Sequence, residues 1–442
     1  MKYSIVTFGC RVNQADSLGF EEEFRARGAA AVAPEDADVV VVNTCSVTAS
    51  ADQSARQTIR RLARVNPDAK IVVTGCYATR RPDEIAALPN VLRVVPNDDK
   101  PRLLSLIGGS VRLEPDRSTA DRFGHGEGSC GAAIEPGMAG RTAFTLRVQT
   151  GCAESCSYCI IPSTRGLPRS VAMGDVLAEV DRVSAAGFKE IALTGVHLGS
   201  YGRDLTPASS LIELLQALND RCPGRAREST LEREVLERAG GGAPASGVIE
   251  AGVLFRISSL EPMDCVPDLV DLVATSDRFA PHFHLPLQHA SNRMLTAMCR
   301  PYTIEYYAAL VDDIRARMPH ASIGSDIIVG FPGESDDDFG QLVSYLESSP
   351  LTHIHVFPYS DRPGTAASAM GDRVPGTVVR DRAHRVREIG RQLASSFRAA
   401  QSGTVRPGLT IEDGSLAVTD NYLKIRIPPG HARNEWVQVT VD

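Results

Sequence analysis

The chain has 442 residues, of which 43% are hydrophobic and 23% charged, with a formal net charge of −7. That balance excludes a disordered or fibrous protein, and the length exceeds what one ordinary core fills, so two or three domains are expected. No apolar run reaches the roughly eighteen residues of a spanning helix, and Met1 to Cys10 enters a strand-like pattern with no signal-peptide layout. A cytoplasmic protein with no membrane partner is therefore expected. Ten cysteines in such a chain favour metal ligation or catalysis over disulfides.

Residues 1–107 alternate apolar runs with segments of helical length and amphipathic spacing. The runs are Ser4 to Phe8, Asp38 to Val42, Lys70 to Thr74 and Val91 to Val95. The pattern predicts an α/β domain with a doubly wound parallel sheet. Each of the first three runs is followed by a cysteine, at Cys10, Cys45 and Cys76, among Gly, Asn and Thr neighbours. Carboxyl ends of parallel strands share one edge, so these three thiols are expected to converge as ligands despite their distance in sequence. Three buried small residues at strand ends is the plainer alternative. The following helix carries Arg56, Arg60 and Arg64 on one face, suited to phosphate or simply to solvent.

Residues 108–140 are rich in Gly, Pro, Ser and Asp and read as a linker, with Cys130 a bystander. Beyond it, residues 147–169 hold Cys152, Cys156 and Cys159, with Tyr158 before the last of them. Three thiolates on one short loop can bind three corners of an iron–sulfur cube and leave the fourth iron open for a cofactor or substrate. A zinc site would want four ligands, often as two separated pairs, and no second C-x-x-C pair is present.

From 141 to 398 strand and helix patterns repeat. The strand candidates are Phe144 to Gln149, Glu190 to Thr194, Leu254 to Ser258, His282 to Leu285, Ser322 to Val329 and His353 to Phe357. About six such units predict a partial (β/α) barrel, TIM-like but open, whose site lies at the carboxyl ends of the strands. Residues just past those ends, Gly195, Ser258, Glu261 and Gly330, are expected with Tyr158 to line a cofactor. Cys222, Cys265 and Cys299 have no partner at metal-binding spacing and read as bystanders. Residues 222–252 read as a surface insertion. Arginines 380, 382, 385, 387, 391, 398 and 406 suggest an RNA-facing helix, although the same charge suits a solvated one. Residues 401–442 turn to short strands, including Leu423 to Ile427 and Trp436 to Val441, and predict a small β-barrel of the kind that binds nucleic acid.

The C-x3-C-x2-C loop resembles the radical S-adenosylmethionine superfamily, and the order of parts resembles the methylthiotransferases, which join a three-cysteine N-terminal domain, a radical core and a C-terminal TRAM domain. The resemblance implies two 4Fe–4S clusters, one held by Cys152, Cys156 and Cys159 and binding S-adenosylmethionine, the other held by Cys10, Cys45 and Cys76. It also implies a radical enzyme that transfers a methylthio group, a tRNA substrate, a flavodoxin or ferredoxin type of reducing partner, and a sulfur donor. The family's substrates are threonylcarbamoyladenosine in tRNA, methylthiolated at carbon 2 next to the anticodon, isopentenyladenosine in tRNA, and an aspartate of a small-subunit ribosomal protein. Gly9-Cys10-Arg11-Val12-Asn13-Gln14, Ile160-Ile161-Pro162 with Arg165-Gly166, and Arg256 to Pro262 are similar to the threonylcarbamoyladenosine branch; Pro286-Leu287-Gln288-His289 resembles the ribosomal-protein branch. A non-enzymatic iron–sulfur RNA-binding protein is the alternative of another class, and three cysteines rather than four at each site speak against it.

Overall fold

The computed structural model describes residues 1–108, 134–137, 141–221 and 252–442. The predicted linker with Cys130 and the predicted insertion with Cys222 lie almost wholly outside the described residues.

The N-terminal sheet consists of β1 (Lys2–Thr7), β2 (Ala30–Ala31), β3 (Val39–Thr44), β4 (Lys70–Gly75) and β5 (Val91–Val95), all parallel in the order β2-β1-β3-β4-β5. Its central strand β3, Val-Val-Val-Val-Asn-Thr, is buried throughout, as expected when helices cover both faces of a parallel sheet. Alternate side chains serve the two faces. Val39 and Val41 pack with Phe20 and Phe24 of helix Arg11–Ala26, whereas Val40 and Val42 pack with Ala55, Ile59 and Leu62 of helix Ala49–Val65. The Thr48 hydroxyl caps the latter helix by accepting from the Ala51 amide at 3.2 Å, satisfying one of its orphan donors.

The central region is an arc of parallel strands. It begins with β6 (Phe144–Arg147), which continues past Val148 into β7 (Gln149–Thr150), and β7 forms a short antiparallel pair with β8 (Arg169–Ser170). The arc proper runs β6-β9-β10 and β11-β12-β13, with β9 (Glu190–Thr194), β10 (Leu254–Ile257), β11 (His282–His284), β12 (Ser322–Val329) and β13 (His353–Pro358). An isolated bridge, Phe255 with Phe279, and the Leu260 amide donating to the His284 carbonyl at 3.0 Å join the two halves. The six predicted strands are therefore present and the barrel is open. One large apolar cluster, running from Phe144 through Leu215 and Ile323 to Ile389, fills the space between the arc and its helices.

The last forty residues form a four-stranded antiparallel sheet of β14 (Val405–Ile411), β15 (Leu416–Thr419), β16 (Lys424–Arg426) and β17 (Trp436–Thr440), in the order β16-β15-β14-β17. It is an open sheet, and Ala417, Ile425, Val437, Val439 and Val441 form its buried face. It docks at the amino ends of the arc, where Leu409 and Trp436 pack on Leu254 and Ala280. There the Asn421 amide also donates to the His320 carbonyl at 3.0 Å.

The arginine-rich helix runs Gly376–Gln401 and stops before Arg406, which lies in β14 and pairs with Asp420 at 2.8 Å. Arg382 is buried against Glu334 at 2.6 Å, and Arg385 and Arg398 pair with Glu347 and Asp442. Arg380, Arg387 and Arg391 are exposed. No helix among the described residues is long and apolar enough to cross a membrane.

Candidate active site: two cysteine triads joined by a buried guanidinium

Strands β1, β3 and β4 are neighbours, so their carboxyl ends meet as anticipated. Cys10 precedes helix Arg11–Ala26, Cys45 follows Thr44 directly, and Cys76 opens helix Cys76–Arg80. The turn at Gly9 has φ +89°, and a Cβ there would stand 2.5 Å from the Cβ of Cys45. Only glycine permits both the left-handed backbone and that approach. The Asn13 side chain ties two strand ends together, donating to the carbonyls of Phe8 at 2.8 Å and Thr44 at 3.0 Å.

The second triad sits on the loop between β7 and helix Ile161–Arg165. Cys152, Cys156 and Cys159 are all partly accessible, which leaves the loop open to a bound group. The Glu154 amide donates to Cys152 Sγ at 3.4 Å, and Arg300 donates from Nη1 to Cys156 Sγ at 3.1 Å. Arg300 is itself held by Glu261 and stacks over Tyr302, 5.1 Å from the ring centroid. Burial pushes the Cys159 thiol up to about 12 and raises that of Cys156 against the pull of Arg300. Burial would lower the His197 pKa, but Asp264, 2.8 Å from Nε2, and the Cys152 thiol raise it to about 10, so the imidazole is a cation at neutral pH.

Helix Ile161–Arg165, which follows the loop triad, packs against the N-terminal one. Arg165 is 3% exposed, packs against helix Cys76–Arg80, and donates to Asn13 Oδ1 at 2.5 Å. Thr164 accepts at its carbonyl from the Asn97 amide at 2.7 Å, and the same amide lies 3.8 Å from Cys76 Sγ. Burial alone would raise the Cys76 thiol; Arg165 and Lys100 together hold it below its ordinary value. Cys45 lacks so close a cation, and burial pushes it up to about 12. Part of that positive charge is offset by Asp16, completely buried and in contact with Lys100, Arg147 and Arg165. A cavity of about 200 Å³ opens beside this group, lined by Asn97, Lys100, Arg147, Gln149, Arg165 and Arg169. Each triad thus has soft thiols on one side and a buried cation on the other, the charge pattern that three thiolates of an iron–sulfur cluster require.

The other anticipated site residues divide. Tyr158 packs with Met294, Met298 and Phe331, which fixes the cysteine loop from behind. Ser258 is buried just past β10, and its hydroxyl has no hydrogen-bond partner among the described residues, an orphan suited to a bound polar group. Glu261 holds Arg300. Gly195 lies against Gln149, whose Oε1 accepts from the amides of Val196 at 3.0 Å and His197 at 2.9 Å. Gly330, φ +76°, faces Val379, so its missing side chain makes room for helix Gly376–Gln401. Arg165, Lys100, Asp16 and Arg300 were not singled out from sequence as site residues, whereas His197 belongs to the Thr194 to Gly202 stretch past β9, expected where a cofactor would lie. Cys265 lies in the central core and Cys299 is exposed.

A family model described as uncharacterized protein family UPF0004 matches residues 2–96, and one described as the radical SAM superfamily matches residues 146–346. The threonylcarbamoyladenosine tRNA methylthiotransferase MtaB of Aquifex aeolicus (strain VF5) is 35% identical over 439 residues, covering 96% of this chain and 96% of that protein. The chain belongs to the radical S-adenosylmethionine methylthiotransferases. It is accordingly an enzyme that works with 4Fe–4S clusters and S-adenosylmethionine. The protein of the same name from Bacillus subtilis (strain 168) is 33% identical, covering 95% of this chain and 88% of that one. A tRNA-2-methylthio-N(6)-dimethylallyladenosine synthase of Corynebacterium diphtheriae is 32% identical, covering 91% and 74%. Among solved structures, the radical S-adenosylmethionine methyltransferase TsrM from Kitasatospora setae, with cobalamin and a [4Fe-4S] cluster bound, superposes with a TM-score of 0.53 at 15% identity, covering 83% of this chain and 74% of that one. The methylthiotransferase shares its fold with that enzyme.

Proposed function

We propose that this methylthiotransferase acts on N6-threonylcarbamoyladenosine in tRNA, placing a methylthio group on carbon 2 of the base next to the anticodon. Similarity carries the choice among substrates: the Aquifex aeolicus relative named for threonylcarbamoyladenosine is covered over 96% of its length, the relative named for dimethylallyladenosine over 74%.

Cys152, Cys156 and Cys159 hold one 4Fe–4S cluster, and Cys10, Cys45 and Cys76 hold the other. When bound, the clusters and S-adenosylmethionine supply a radical able to take hydrogen from an unreactive carbon and a place to hold sulfur. The chain's own residues set the stage. Arg300 and protonated His197 balance thiolates of the loop triad, and Glu261 and Asp264 fix their orientation. Arg165 balances Cys76 and ties the N-terminal triad to the core. Tyr158 with Met294 and Phe331 keeps water from the back of the cysteine loop. The Ser258 hydroxyl is free to donate to a polar group of the cofactor.

The open C-terminal sheet is read as a short TRAM-like unit, and the exposed Arg380, Arg387 and Arg391 as contacts to tRNA phosphates. A flavodoxin or ferredoxin type of reductant, an external sulfur donor and a cytoplasmic location complete the reading. Mass spectrometry of tRNA nucleosides from cells with and without the gene tests it. Loss of methylthio-threonylcarbamoyladenosine with build-up of its precursor is the expected outcome. Loss of a methylthio-isopentenyladenosine instead assigns the other tRNA branch, and an unchanged tRNA profile overturns the tRNA reading.

A further inference from the structure

A second group of metal-ligating side chains lies in the arc. His284 of β11 and His353 of β13 both align with Gly324 of β12, the strand between them. Gly324 has no side chain to separate them, and a Cβ there would stand 2.1 Å from Nε2 of His353. His355, two residues further along β13, points to the same face of the sheet. The three ring centroids lie 5.6, 5.8 and 6.2 Å apart, and one nitrogen from each ring lies within 4.8 Å of the other two.

Hydrogen bonds on the far sides of two rings leave nitrogens available. Nε2 of His284 is 3.0 Å from the Asp326 carboxylate, which leaves its Nδ1 unused. Nδ1 of His353 is 3.0 Å from the Thr352 hydroxyl, which leaves Nε2, the atom over Gly324. A carboxylate or hydroxyl on the outer nitrogen is the usual way in which a protein orients a metal-binding imidazole.

We propose that His284, His353 and His355 bind one divalent zinc ion, with Asp326 orienting His284 and the fourth position left to water or an oxygen ligand. Zinc bonds of about 2.0–2.1 Å place tetrahedral nitrogens about 3.4 Å apart, so side-chain rotation of about an ångström completes the site. Three imidazoles also suit other late first-row ions, but zinc has no redox chemistry and is unchanged by the reductant that a radical enzyme needs. The site would tie β11 to β13 across the glycine of β12.

The test uses the anaerobic, iron–sulfur-loaded full chain, incubated with zinc(II) and desalted. Zinc and iron are counted by plasma mass spectrometry, and zinc K-edge X-ray absorption reads the ligands. About one zinc per chain is expected, with nitrogen and oxygen neighbours at about 2.0–2.1 Å and no sulfur at about 2.3 Å. His355→Gln, a change at an exposed position, is expected to bind zinc at least tenfold more weakly with iron content and thermal unfolding unchanged. No retained zinc, sulfur in the zinc shell, or undiminished binding by His355→Gln would overturn the proposal.

Discussion

The two cysteine triads reach similar chemical surroundings by opposite routes. Cys152, Cys156 and Cys159 share one loop, so their proximity is written into eight consecutive residues and needs the rest of the fold mainly for shielding and charge balance. Cys10, Cys45 and Cys76 share no local sequence and meet only because β1, β3 and β4 are adjacent parallel strands. The loop triad should therefore tolerate damage elsewhere in the chain, whereas the sheet-borne triad depends on strand register, on the turn at Gly9 and on Arg165 from the other domain.

Removing one thiol from each triad separates them most sharply. Cys156→Ala is expected to abolish cleavage of S-adenosylmethionine altogether. Cys76→Ala should retain cleavage to 5′-deoxyadenosine while losing all methylthio product, with iron falling from about eight to about four atoms per chain. Product formation by Cys76→Ala would remove that cysteine from the ligand set.

Gly9→Ala comes next. It forces a side chain into a left-handed turn and against Cys45, so it is expected to lower the iron of the N-terminal centre severalfold while the loop centre keeps its electron paramagnetic resonance signal. Equal loss at both centres would contradict the independence of the two.

The third effect is on stability. Asp16→Asn leaves Lys100, Arg147 and Arg165 without their carboxylate, and breaking such a buried network costs on the order of 3–5 kcal/mol, measurable by denaturant unfolding of the cluster-free chain. Burial opposes ionisation of Asp16, but the three cations overcome it and hold the carboxyl well below the usual carboxylate range. Its contribution is complete above the unfolded value of about 3.9 and is lost as pH falls below it. Wild-type stability should therefore drop more steeply below about pH 4 than that of Asp16→Asn.

The smallest effect is expected at the surface. Arg387→Glu with Arg391→Glu should weaken tRNA binding a few-fold and flatten its salt dependence, without changing iron content at either triad. Unchanged affinity in a filter-binding assay at fixed salt would take this helix face out of the RNA-binding surface.

What could be read in advance follows the same division. The loop triad needed only spacing, and the N-terminal triad was legible because valine-rich runs ending in cysteine announce parallel strands whose ends must meet. The partners were not legible. Arg165 and Arg300 look in sequence like the surface arginines around them, and nothing local says that each is 8% exposed or less and turned toward a thiol. The arginine run from 380 to 406 was misread in part for the converse reason. Its composition is uniform, but the helix stops at Gln401, Arg406 belongs to a strand, and Arg382 turns inward to Glu334. The two-residue strand Ala30–Ala31 left no periodicity to detect.

The position of Arg165 also bears on the order in which the protein is made. A ribosome that has released the first hundred residues has made the parallel sheet and all three of its thiols, but not the guanidinium that offsets Cys76 and caps the same edge. Until synthesis has passed the loop with the second triad, only Lys100 of the two cations that lower Cys76 is present.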